Sequence, residues 1–160
     1  MPPPLLFPLS DLDLTRTLWS REQIYQRLPH RHEFQLLDGV CMVDPPARQV
    51  LAFANIKNDA WWVRGHVPGR PILPGVLMLE MAAQTSALLL KMAQTDHDEF
   101  IGFGGVDDCK FREAVKPPAR LYLLCRALDY RPRRILSATQ GVIDGRLVFE
   151  ATITGLTLRD

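Results

Sequence analysis

The stretch Gly75-Val76-Leu77-Met78-Leu79-Glu80-Met81-Ala82-Ala83-Gln84-Thr85-Ser86-Ala87-Leu88-Leu89-Leu90-Lys91-Met92 reads as one helix whose apolar side chains cover nearly its whole circumference. A helix apolar all round must be buried on most sides. The flanking sequence supplies the cover. Leu36–Val43 and Gln49–Ile56 read as an antiparallel pair joined by the turn Asp44-Pro45-Pro46. Ile101–Val106 reads as a short strand carrying Gly102, Gly104 and Gly105, and the chain ends in three longer strands, Leu121–Tyr130, Arg134–Ile143 and Leu147–Leu158. Asp144-Gly145 between the last two is a tight-hairpin signal. The economical packing of such antiparallel strands with one buried helix is a sheet wrapped round it, an α+β fold.

The 160 residues, 47% hydrophobic and 23% charged, suit one folded domain and exclude general disorder. A formal net charge of +1 gives no global field for nucleic acid. Cys41, Cys109 and Cys125 form no CxxC pair and no disulfide framework, so a reducing cytoplasm is expected. The N-terminus lacks the basic region of a signal peptide, and Glu80, Gln84 and Lys91 interrupt the longest apolar stretch, so no membrane span is expected. Four of the thirteen prolines lie in the first eight residues. Residues 1–19 are therefore expected to form an extended arm, and residues 20–160 a single domain. Ser20 and Gln23 form a capping-box pattern for a helix over Arg21–Leu28 that stops at Pro29.

Two ionisable residues stand in surroundings that disfavour charge. His66 lies in the loop Gly65-His66-Val67-Pro68-Gly69, and Glu80 lies on the apolar helix. Burial raises a carboxyl pKa and lowers that of an imidazole, so a shared pocket predicts a protonated Glu80 and a neutral His66, an acid–base pair. Gln84, four residues on, shares the helix face of Glu80 and can orient it. The free N–H of Gly75, at the positive end of the helix, is a candidate oxyanion donor. Each residue alone has a structural alternative: a loop-holding histidine, or a glutamate paired with a core arginine. His30 and His32 have an HxH spacing, but no third ligand supports a metal, and no HExxH, GxSxG or P-loop pattern occurs.

The segment from Gly65 to Gln84, GHVPGRPILPGVLMLEMAAQ, resembles the active-site signature of the FabZ-type 3-hydroxyacyl-[acyl-carrier-protein] dehydratases. Leu28-Pro29-His30-Arg31 with Phe34, Leu36, Leu37 and Asp38 is similar to that family's N-terminal motif, Lys110-Phe111-Arg112 to its strand motif, and Asp144-Gly145 to its late hairpin. The resemblance covers about Arg21 to Leu158. It implies a hotdog fold, an antiparallel sheet around a central helix. It also implies His66 as catalytic histidine, Glu80 as catalytic carboxylate, Gly75 as backbone donor and Gln84 as orienting residue, with no metal or organic cofactor. The two catalytic side chains of one site come from different subunits in this family, which implies a homodimer, often built further into a trimer of dimers. Glutamate at position 80 favours dehydration without the isomerisation of the FabA type, which carries aspartate. Val67 and Ile101-Gly102 depart from the family's Phe and aromatic pair, which bears on tunnel width and gating, and Pro117-Pro118-Ala119 departs from its Pro-Gly-Asp turn.

The implied substrate is a (3R)-hydroxyacyl thioester on the phosphopantetheine arm of acyl carrier protein. Leu77, Met81, Phe103, Trp61 and Trp62 are the expected tunnel walls. Lys110, Arg112, Lys116, Arg120, Arg131, Arg133 and Arg134 are the expected docking face for the acidic carrier. A hotdog thioesterase and a non-catalytic acyl-binding subunit are the alternatives.

Overall fold

The computed structural model describes residues 1–93 and 99–158. The central helix α2 spans Gly75–Ala93. The first strands are β1 (Trp19–Ser20), β2 (Gly39–Asp44) and β3 (Gln49–Ile56), with the short helix α1 (Arg21–Tyr25) between β1 and β2. After α2 come β4 (Phe100–Phe111), β5 (Ala119–Arg131), β6 (Arg134–Ile143) and β7 (Arg146–Leu158). The seven strands form one sheet in the order β1-β2-β3-β5-β6-β7-β4, every pair antiparallel. Helix α2 packs across β3, β5, β6, β7 and β4. This is the α+β hotdog architecture. No helix among the described residues is long and apolar enough to cross a membrane.

Strand alternation sorts the core onto two faces. Val50, Ala52 and Ala54 of β3, with Leu121 and Leu123 of β5, face α2. Leu51, Phe53 and Leu124 face the other way, into a second apolar cluster. That outer cluster is covered by the proline-rich arm. Phe7 is buried in it, with Leu5, Leu6, Leu9, Leu12 and Leu14 packed around it. Gln140 anchors the arm with both ends of its amide: Oε1 accepts from the Leu6 N–H at 2.8 Å and Nε2 donates to the Pro4 carbonyl at 3.0 Å. Arg126 donates to the Leu6 carbonyl. With both faces buried, β3 reads as a continuous apolar run.

Several boundaries differ from the sequence expectation. Ser20 caps α1 with Gln23 as a full capping box, but the helix ends at Tyr25 rather than Leu28. There Arg31 takes over, its guanidinium donating to the carbonyls of Tyr25, Leu28 and His30. Strand β2 begins at Gly39 rather than Leu36, because the Leu37 N–H is taken by the Tyr25 hydroxyl at 2.8 Å. Strand β4 is twice the expected length. It is an edge strand carrying Asp107-Asp108 and a bulge, so apolar alternation fails along it. The two-residue β1 is too short to have a period. Asp144 and Gly145 both have positive φ, 48° and 75°, as a two-residue hairpin of type I′ requires.

Candidate active site

Glu80 sits in the second turn of α2 at a cavity of about 170 Å³, which Ala83, Ala87, Phe103, Ile153 and Gly155 also line. Its carboxylate is held by two donors. His30 Nε2 lies 3.2 Å from Glu80 Oε1, and Gln84 Nε2 donates to the same oxygen at 3.0 Å. Gln84 is buried and fully engaged, with Nε2 also donating to the Phe34 carbonyl at 2.8 Å and Oε1 accepting from the Tyr25 hydroxyl at 2.7 Å. The hydrogen bond from His30 holds the Glu80 carboxyl below the usual carboxylate range, opposed by burial and helped by Gln84. This corrects the expectation of a protonated Glu80: the carboxylate is only partly buried, and its partners favour the charged form.

His66 lies at a second cavity of about 460 Å³, shared with Ile72, Gly75, Phe111, Arg112 and Val115. Its Nδ1 is 2.8 Å from the Ile72 carbonyl. A carbonyl only accepts, so in the neutral ring Nδ1 carries the hydrogen and Nε2 is left as the proton acceptor. Gly75 opens α2 in the same cavity. A Cβ at Gly75 would come within 2.9 Å of the Phe111 ring, so a larger residue there would have to displace that side chain. The structure thus brings His66 and Gly75 together, and Glu80 and Gln84 together, but sets the two pairs on separate cavities of one protomer.

The expected tunnel walls do not form one surface. Phe103 alone joins the Glu80 cavity. Met81, Trp61 and Trp62 border a different groove with Arg21 and Asp38, where Trp61 is half exposed, and Leu77 is buried in the core. Helix geometry explains the split: neighbouring positions such as Glu80 and Met81 point about 100° apart. The expected docking face also divides. Lys110, Arg112 and Lys116 belong to the β4–β5 end that holds the His66 cavity, whereas Arg131, Arg133 and Arg134 lie at the far end of β5. Arg112 pairs with Glu150, and Arg131 and Arg134 both pair with Asp129. The Arg120 guanidinium lies 3.6 Å from the Phe53 ring centre, on the outer face of the sheet.

The sequence points to no role in this site for His30 or Tyr25. His30 stood in the Leu28-Pro29-His30-Arg31 motif, which was the available signal; nothing in the sequence links either residue to Glu80. His30 and His32 border different cavities, and among the described residues no three His, Cys, Asp or Glu side chains group as a metal site.

The fold and the placement of the Gly65–Gln84 segment define a hotdog protein of the FabA-like class, and the family model for the FabA-like domain matches residues 28–152. Within that class the chain belongs to the FabZ-type 3-hydroxyacyl-[acyl-carrier-protein] dehydratases. It is 35% identical to FabZ of Polynucleobacter asymbioticus over 132 residues, covering 82% of this chain and 88% of the relative. It is 37% identical to FabZ of Enterococcus faecalis over 132 residues, with coverage of 82% and 93%. Among solved structures, the dehydratase heterocomplex ApeI:P of Xenorhabdus doucetiae superposes with a TM-score of 0.75 at 16% identity, covering 91% of this chain and 94% of that one.

Proposed function

We propose that this chain dehydrates (3R)-hydroxyacyl thioesters on acyl carrier protein to trans-2-enoyl thioesters, in fatty acid or related lipid synthesis, at sites completed across a homodimer. The observation that carries this reading is the Glu80 carboxyl, held by His30 and Gln84 in the wall of a mostly apolar cavity.

The sheet edge supports the dimer. Strand β4 is a terminal strand of the sheet, with Phe100, Phe103 and Phe111 about half exposed. A long edge with exposed aromatic side chains is a template for pairing. A second copy, paired antiparallel about the middle of β4, sets the Phe111 end of one strand beside the Phe100 end of the other. The His66 cavity borders Phe111, and the Glu80 cavity borders Phe100 to Phe103. The same two-fold operation therefore carries the partner's His66 toward Glu80, twice per dimer.

At such a site His66 Nε2 takes the C2 proton. The electron pair of that bond forms the C2=C3 double bond as the C3–O bond breaks, and Glu80, in the minor form that has taken a proton from solvent, gives that proton to the departing hydroxyl, released as water. The Gly75 N–H stabilises the thioester oxygen as enolate charge develops, a donor worth roughly 2.7–4 kcal/mol. Proton exchange with solvent then resets both groups. In hydration the path runs backward: the Glu80 carboxylate accepts a proton from the water attacking C3. Acyl carbons beyond C3 lie along Phe103, Ala83 and Ala87. Lys110, Arg112 and Lys116 at the His66 end receive the acidic carrier.

Hydration uses the carboxylate form of Glu80, and that form is lost as pH falls through its lowered pKa. The acid limb of kcat for crotonyl thioester hydration is therefore expected below the usual carboxylate range. His30→Ala removes the largest cause of the lowering and moves that limb upward; an unmoved limb in folded His30→Ala contradicts the assignment.

The reaction class is tested by presenting hydroxyacyl groups of graded length on acyl carrier protein. Loss of water with a trans-2 double bond is the expected result. Release of free thiol makes the protein a thioesterase instead, and no turnover of any hydroxyacyl or enoyl thioester makes it a non-catalytic subunit.

A further inference from the structure

We propose that Tyr25 is a positioning residue of this site, its hydroxyl locking the Gln84 amide in the orientation that presents an N–H to Glu80. The proposal rests on the reading of Glu80 as the acid–base carboxylate.

Tyr25 comes from α1, Gln84 from α2, and Leu37 from the segment that leads into β2; all three meet at one phenolic oxygen. The side chain is 4% exposed, and burial pushes its hydroxyl well above the ordinary tyrosine range, so the proton stays on. The Leu37 N–H donates to the oxygen, and the single hydroxyl proton is left to point at Gln84 Oε1. That fixes which end of the amide is oxygen. Nε2 must then face the other way, where it meets two acceptors, the Phe34 carbonyl and Glu80 Oε1. A flipped amide would set its oxygen against a carbonyl and a carboxylate, and its NH2 against a hydroxyl oxygen that already accepts from the Leu37 N–H, leaving the phenol proton without its acceptor. The Tyr25 ring also meets the His30 ring edge-on, 6.4 Å between centroids. One side chain therefore borders both groups that hold Glu80. Ring packing alone would need only phenylalanine; the hydroxyl is what reads the amide.

Tyr25→Phe in the full-length protein keeps the ring and deletes the hydroxyl. The expected result is a fall in kcat for crotonyl thioester hydration of about 10- to 100-fold, the scale of a misplaced catalytic group. KM stays near the wild-type value and the acid limb moves up, since Glu80 loses a well-aimed donor. If Tyr25 acts through Gln84, Tyr25→Phe/Gln84→Ala is no slower than Gln84→Ala alone. Replacing the Tyr25 side chain by 4-aminophenylalanine returns a donor and restores the rate. Wild-type kcat and limb in folded Tyr25→Phe, independent effects of the two substitutions, or no restoration by the amine each overturn the proposal. Should Tyr25→Phe fail to fold, the 4-aminophenylalanine protein decides: a wild-type rate and limb support the role, and a reduced rate opposes it. Glu80→Gln assayed in parallel separates the two failures. If it stays active, the reading of Glu80 fails. If it is inactive while Tyr25→Phe is normal, only the role of Tyr25 fails.

Discussion

Hydration of a crotonyl thioester falls by about 10²–10⁴-fold in both His66→Ala and Glu80→Gln, the span of a general acid–base contribution. Neither change threatens the fold. His66 is solvent-exposed in the protomer and gives the loop one side-chain hydrogen bond, to Ile72. Glutamine at position 80 keeps the shape of the carboxylate and an oxygen for His30 and Gln84, but cannot exchange a proton. A mixture of the two dead proteins makes the sharper measurement. In a hybrid dimer one site receives both lesions and the other receives intact His66 from one chain and intact Glu80 from its partner. Unfolding and refolding an equal mixture should therefore recover about a quarter of the wild-type sites, on random pairing of a symmetric dimer. No recovery from a mixture that has exchanged subunits would place both groups of a site on one chain, against the separate cavities seen in the protomer.

The largest stability loss is expected at Phe149. It is fully buried in β7, and its ring stacks on Phe111 with centroids 5.5 Å apart. It also fills the space above Gly141, where an added Cβ would lie 3.3 Å from it. Phe149→Ala removes the ring and leaves a void the sheet cannot close, at a cost of about 3–5 kcal/mol. In a chain of this length that lowers Tm by roughly 10 °C, read by thermal circular dichroism at fixed protein concentration. The change also frees Phe111, the ring that packs on Gly75 at the start of α2. A thermal midpoint within a degree or two of wild type would show that this region repacks.

Strands buried against α2 were legible because their patterns are strong: β3 and β6 have the bounds expected from sequence, Gln49–Ile56 and Arg134–Ile143. The edge strand β4 was not, because one side of it lacks a neighbour and its Asp107-Asp108 bulge suits solvent. Glu80 and Gln84 could be placed on one helix face from spacing alone, and their contact is present. The charge state of Glu80 could not be read, since it depends on His30, fifty residues earlier in the chain and joined to Glu80 only by tertiary packing. The surroundings of the basic residues were hidden for the same reason: Arg120 and Arg134 belong to one strand pair in sequence terms, yet one stacks on Phe53 and the other pairs with Asp129.

The arm bears on the order in which this polypeptide assembles. Pro4 and Leu6 find their partner in Gln140, 136 and 134 residues away. Such contacts pay the entropy of closing nearly the whole chain, and they cannot form before β6 has joined its neighbours. The arm is thus among the last segments to find its place. The Leu51, Phe53 and Leu124 surface waits uncovered in the meantime, which makes the interval before the arm docks the moment when a nascent chain is most exposed to misassociation.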